Sequence, residues 1–135
     1  MALVRTRRWS DPSDPDDPDD GLRLLITRFR PRGVRKTEEP WDRWEKRLAP
    51  SLELFDAFWG RRREGRKVVA SGLPSIGFAA FKKRFLTELK SPDAEAALAE
   101  IRERVARGET TTLLCFCEDA SQCHRTIVES LLTRD

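Results

Sequence analysis

Apolar positions along the chain alternate between two spacings. Residues 22–29 and 110–116 are short runs rich in leucine and β-branched side chains, each set off by a glycine, Gly21 or Gly108, and both are predicted as buried strands. The alternating segment 3–9 predicts a further strand. Between them the spacing becomes helical. Trp41, Trp44 and Leu48 share one face, and Leu52, Phe55, Phe58 and Trp59 form a stripe that ends at Gly60. Phe78, Phe81, Phe85 and Leu89 mark a helix stopping before Pro92, and Ala94, Ala97, Leu98, Ile101 and Val105 mark another stopping at Gly108. Ile127, Val128, Leu131 and Leu132 add a terminal helix. This order predicts an α/β fold: a small, at least partly parallel sheet covered by helices, in a single compact domain over the 135 residues.

Two stretches break the pattern. In residues 10–20, prolines at 12, 15 and 18 alternate with aspartates, which predicts a loop; it lacks the glycine and terminal glutamate of a calcium-binding loop. Residues 61–77 run from Arg61-Arg62-Arg63 to Gly77 and predict an irregular basic connection. The aromatic stripes are expected to be core rather than stacking platforms.

Composition narrows the class. Hydrophobic residues make up 39% and charged residues 36%, which fits a soluble globular protein, and no apolar run reaches membrane-spanning length. The opening Met-Ala-Leu-Val-Arg-Thr-Arg-Arg has no apolar signal region, so the expected compartment is cytoplasmic and no membrane partner is expected. A net charge of +3 is too small to indicate nucleic-acid binding by itself. Its distribution is more informative. Arg28, Arg30, Arg32, Arg35 and Lys36 form one basic run, and Arg61, Arg62, Arg63, Arg66 and Lys67 form another. These are either solvated loops or an anion-binding face.

Candidate chemistry gathers near the end of the chain. Cys115, Cys117, Cys123 and the single histidine, His124, fall within ten positions. They are predicted to occupy a strand, a tight loop and the first turn of a helix capped by Ser121. An odd number of cysteines clustered at one end does not make a disulfide framework.

Several readings compete there. In the first, Cys123 is a nucleophile, His124 its acid or base, and Arg125 with the helix amides holds an anion; Arg28, Arg30, Arg32, Cys115 and Ser121 would complete the binding side. A second gives Cys115, Cys117, Cys123 and His124 to a metal ion, although no Cys-x-x-Cys knuckle is present. A third is reversible oxidation of Cys115 or Cys117 with Cys123. In the fourth, the cysteines are simply packed. A phosphatase cradle is disfavoured by Glu118 and Asp119 in the loop, and no glycine-rich nucleotide turn exists.

The residues also carry a resemblance. The segments Asp20-Gly21-Leu-Arg-Leu-Leu-Ile, Arg30-Pro-Arg-Gly-Val, Leu48-Ala-Pro-Ser and Phe55 to Trp59, with Leu113-Leu-Cys115 and Cys123-His124-Arg125, resemble the YeaO-like branch of the domain of unknown function 488 family. The likeness covers nearly the whole chain and departs at Cys117, where an acidic residue is expected, and in the length of 61–77. It implies an α/β fold and no established activity. The expectation is therefore an enzyme acting on a small anionic or nucleotide-like molecule at the Cys-His-Arg site. The alternatives are a module that binds nucleic acid or an acidic partner through the arginine runs, and a metal-binding or redox-sensitive protein. No pattern names a cofactor, and the oligomeric state stays open.

Overall fold

The carboxyl-terminal strand sits inside the sheet, where every backbone group must find a partner. In a computed structural model, which describes residues 3–10, 18–116 and 123–133, β1 is Val4–Arg8, β2 is Leu22–Leu25, β3 is Arg43–Trp44 and β6 is Thr111–Cys115. The four form one sheet in the order β1-β6-β2-β3, and each neighbouring pair is parallel. Val4 and Leu22 both stand beside Thr111, and Arg8 stands beside Cys115. The partly parallel sheet expected from the sequence is thus fully parallel.

Alternation along the strands divides the interior in two. Val4, Leu24, Ile26 and Leu113 join one core with Leu54, Phe81, Phe85, Ile101 and Val128 from the helices. Leu25 and Leu114 point the other way, into a smaller cluster with Trp41. This is the period of two expected of a strand buried on both faces. Cys115, two residues after Leu113, lies on the helix-covered side.

Four helices supply that cover: α1 (Leu52–Trp59), α2 (Phe78–Glu88), α3 (Pro92–Ala106) and α4 (His124–Leu132). Local chemistry sets their ends. The Ser51 hydroxyl accepts from the Leu54 amide to start α1, and Ser91 does the same for the Ala94 amide of α3, with Pro92 at its first position. Gly60 ends α1 with φ 68°; a Cβ there would overlap the Leu73 carbonyl, so glycine is required on both counts. No helix among the described residues is long and apolar enough to cross a membrane.

The far face of the sheet carries a buried charge. The Asp20 carboxylate is 0% exposed and meets Arg7 at 2.7 Å, Arg23 at 3.0 Å and Arg5 at 3.2 Å. The Thr112 hydroxyl donates to the Asp20 carbonyl, which ties the group to β6. Burial would raise this carboxyl, but hydrogen bonds and charge from Arg7 and Arg23 outweigh it and hold it below the ordinary range.

Two segments differ from the sequence expectation. Trp41, Trp44 and Leu48 do not share a helix: Trp44 lies in β3, Leu48 in a short 3-10 turn, and Trp41 in the far-face cluster. The sheet wins because the Asp42 and Glu45 amides donate to the Arg23 and Leu25 carbonyls, extending the ladder between Pro40 and Pro50. The basic stretch 61–77 contains an antiparallel hairpin, β4 (Arg62–Glu64) and β5 (Lys67–Ala70).

Two stability measurements follow from this packing. Phe85 is 0% exposed, so Phe85→Ala is expected to lose about 3–5 kcal/mol in urea unfolding, and a loss under about 1 kcal/mol would contradict its place in the core. Asp20→Asn is expected to lose about 3–5 kcal/mol at neutral pH by leaving three arginines without their carboxylate. A depressed carboxyl stabilises the fold above its unfolded value of about 4 and loses that contribution as the pH falls through its folded value. The gap between wild type and Asp20→Asn should therefore narrow on acidification; a gap that widens would contradict the assignment.

Candidate functional site

The site begins where β6 and β2 end together. The Ile26 amide donates to the Leu114 carbonyl, so the chain leaving β2 still runs beside β6 when β6 reaches Cys115. The hydroxyl of Thr27 then donates to the Phe29 carbonyl and turns the chain away. α4 returns over this level. Its first residue is His124, and its cap residue is Cys123, with extended φ −130° and ψ 143° and no side-chain cap bond. Cys123 was expected within the first turn; it precedes it because its backbone is extended. Ser121, the expected cap, and Cys117 lie outside the described residues.

Three side chains converge here. The Cys115 sulfur is 3.5 Å from His124 Nδ1, and the Cys123 thiol donates to it at 3.2 Å. His124 Nε2 lies 2.5 Å from the Ile26 carbonyl oxygen. A carbonyl can only accept, so Nε2 carries a hydrogen and, in the neutral ring, Nδ1 is the unprotonated nitrogen; the sulfur lies over the ring, 3.5 Å from Nδ1 and 3.8 Å from Nε2. The Phe85 ring stands at 88° to the imidazole with centroids 5.6 Å apart, fixing the ring plane. Both cysteines are 1% exposed. The arrangement is a thiol, a base and a group that orients the base.

A small cavity and a wider groove adjoin these side chains. A cavity of about 30 Å³, enough for little more than a water or two, is lined by Cys115, His124, Thr27 and the rings of Phe55, Phe58 and Phe81. Phe55, Trp59 and Phe116 also line a groove of about 670 Å³ beside it. That groove carries Arg30, Arg32, Arg61, Arg63 and Arg66.

The site residues expected from the sequence divide accordingly. Arg28 lines the inner cavity with its Nε donating to the Pro50 carbonyl, while Arg30 and Arg32 line the groove. Arg125 is 5% exposed and lines neither space. Arg61, Arg63 and Arg66 were not among the residues expected at the Cys-His-Arg site; their signal was the basic run after Gly60, read as either a solvated loop or an anion-binding face. Trp59 was expected in the core and is instead 49% exposed on the groove wall, as the last residue of α1. For a metal, Cys115, Cys123 and His124 offer donor atoms within 4.8 Å of one another.

Similarity to other proteins agrees with the sequence resemblance. The profile of DUF488-N3a, described as the active DUF488-N3 subclade, matches residues 4–135. The chain belongs to the DUF488-N3a family. It is 32% identical over 130 residues to the uncharacterized protein YeaO of Escherichia coli (strain K12), covering 96% of each chain. It is also 32% identical over 113 residues to the uncharacterized protein Rv3073c of Mycobacterium tuberculosis, covering 84% of this chain and 81% of that one. No solved structure matches.

The groove depends on Gly60, which redirects the chain from α1 into the arginine-bearing hairpin. Gly60→Ala must combine a left-handed backbone with overlap on Leu73 and is expected to lose about 1–3 kcal/mol. A thermal melt unchanged from wild type would show that the turn is not held as described.

Proposed function

We propose that the protein is an enzyme acting on a small anionic molecule, with Cys115 as nucleophile and His124 as its general base. The observation that carries this reading is the 3.5 Å approach of Cys115 Sγ to His124 Nδ1 beside an apolar cavity next to an arginine-lined groove. His124 Nδ1 takes the thiol proton as the sulfur bonds to an electrophilic carbon. The proton then passes to the leaving group as its bond to that carbon breaks, and water releases the acyl or alkyl group and restores the thiol. Cys123 donates to the Cys115 sulfur, giving a thiolate formed there a second donor. This assigns to Cys115 the role that the sequence suggested for Cys123, and leaves Cys123 as the supporting thiol.

Placement of charge limits the substrate. Five arginines line the outer groove, whereas the inner cavity is walled mainly by phenylalanine rings and has one arginine, Arg28, whose Nε is taken up by the Pro50 carbonyl. An anion therefore keeps its charge outside and presents an uncharged carbon to Cys115. Phosphoryl transfer at the thiol fits poorly, because a phosphate would have to be stripped of water among aromatic rings.

A second reading, a metal held by Cys115, Cys123 and His124, has one observation in its favour: the far ring nitrogen already donates to a carbonyl, as ligating histidines usually do. The sulfur–nitrogen separation of 3.5 Å also suits a tetrahedral ion. Two thiolates on one zinc would stand about 3.8 Å apart, given Zn–S bonds of about 2.3 Å. The observed 3.2 Å is shorter and favours a thiol donating to its neighbour.

Alkylation with a small neutral reagent tests the nucleophile. Mass spectrometry of the native protein is expected to find Cys115 labelled ahead of Cys123, and His124→Gln to slow that labelling at least tenfold at neutral pH. Circular dichroism confirms that the variant is folded, and the pH profile of wild-type labelling, compared with denatured protein, provides an independent readout. Equal rates in wild type and variant, with a native profile matching the denatured one, would contradict the thiol–imidazole pair. Stoichiometric zinc in anaerobically purified protein would replace this reading with the metal one.

A further inference from the structure

Several arginines elsewhere among the described residues are neutralised by carboxylates. Arg5, Arg7 and Arg23 surround Asp20, Arg47 reaches Glu45 and Glu100, and Arg104 and Arg107 share Glu109. The groove gathers three that are not neutralised in this way. Of its five arginines, Arg30 is paired with Glu39 and Arg63 with Asp56, but Arg32, Arg61 and Arg66 have no acidic partner among the described residues. Guanidinium groups gathered with no carboxylate among them repel one another, and an anionic ligand relieves that repulsion.

The groove walls add a second kind of surface. The Trp59 ring is half exposed, and Phe29, also exposed, packs edge-on to Phe55 with centroids 5.3 Å apart. Arg61 lies over the Phe55 ring at 5.4 Å and Arg63 over the Phe29 ring at 5.4 Å, so two of the cations are already placed by the aromatic row. A volume of about 670 Å³ falls in the range of small-molecule sites. Bidentate guanidinium groups suit phosphate oxygens, and an open indole face suits a flat ring.

We infer that the groove binds a nucleotide, with its phosphates on Arg32, Arg61 and Arg66 and its base against Trp59. This rests on the proposed enzyme reading and names its substrate class. The base then lies at the mouth of the inner cavity, which is too small to admit a whole ring but can receive its edge, so the atom presented to Cys115 belongs to the uncharged end of the nucleotide.

Isothermal titration of the full chain tests the assignment with a nucleoside triphosphate, the parent nucleoside, inorganic pyrophosphate and a short single-stranded oligonucleotide. The triphosphate is expected to bind at least tenfold more tightly than the nucleoside. Trp59→Ala should weaken the triphosphate at least about fivefold while leaving pyrophosphate unchanged. Arg61→Ala combined with Arg66→Ala should weaken both at least tenfold, and since all three positions are at the surface the variants should stay folded. Pyrophosphate bound as tightly as the triphosphate, with no effect of Trp59→Ala, would overturn base recognition. Tighter oligonucleotide binding whose steep salt dependence reports many neutralised phosphates would overturn it in favour of a nucleic-acid surface. Absence of binding by any probe would overturn it as well. Titration of Cys115→Ala separates this inference from the thiol reading: retained nucleotide binding there upholds the groove whatever the labelling experiment finds, and lost binding counts against it.

Discussion

β6 takes its hydrogen bonds from a strand on each side, and both neighbours run parallel to it. That constraint organises the rest of the molecule. Parallel neighbours cannot be joined by tight turns, so the chain must cross over between them, and the helices of the crossovers cover the face that carries Leu24 and Leu113. Because the strands point the same way, β2 and β6 also finish at one level. Ile26 and Cys115 stand there together, and α4 starts above them. Ligand sites of open parallel sheets form at this end for the same reason.

The two faces of the sheet use polarity differently. On the far face, Asp20 and its arginines form a buried ionic group tied to β6 through Thr112, a structural use of charge that helps fix the register of β1, β2 and β6. On the helix face, the site itself brings together one imidazole, two thiols and the Thr27 hydroxyl among aromatic rings. The five arginines of the groove lie outside the inner cavity, which Arg28 lines with its Nε held by the Pro50 carbonyl. In the proposed enzyme, electrostatic attraction would act on a ligand at the surface, while the chemistry would take place where water is scarce and a single hydrogen bond decides the state of the imidazole.

Much of this was legible in the sequence, and what was not has physical reasons. β2 and β6 stood out because apolar residues on both faces make nearly continuous runs, and the helices of Phe81, Phe85 and Ile101 because their apolar spacing has helical period. The Trp41–Trp44–Leu48 spacing misled: Trp41 and Leu48 belong to clusters on opposite sides of the sheet, and only the backbone bonds to Arg23 and Leu25 reveal it. The hairpin of β4 and β5 was hidden because its strands are charged and largely exposed, leaving no alternation to read. The clustering of Cys115, Cys123 and His124 near one helix start was visible. The group that orients His124 was not, since the Ile26 carbonyl is backbone and carries no signature in its side chain.

Because His124 is the only histidine, its ring nitrogens can be observed without ambiguity. Nitrogen-15 NMR of the reduced protein, at a pH where the imidazole is neutral, reports which nitrogen carries the hydrogen. The account predicts the Nε2–H form, with Nδ1 unprotonated toward Cys115 and its signal shifting in Cys115→Ala. An Nδ1–H ring, or one whose nitrogen signals ignore the loss of Cys115, would contradict it.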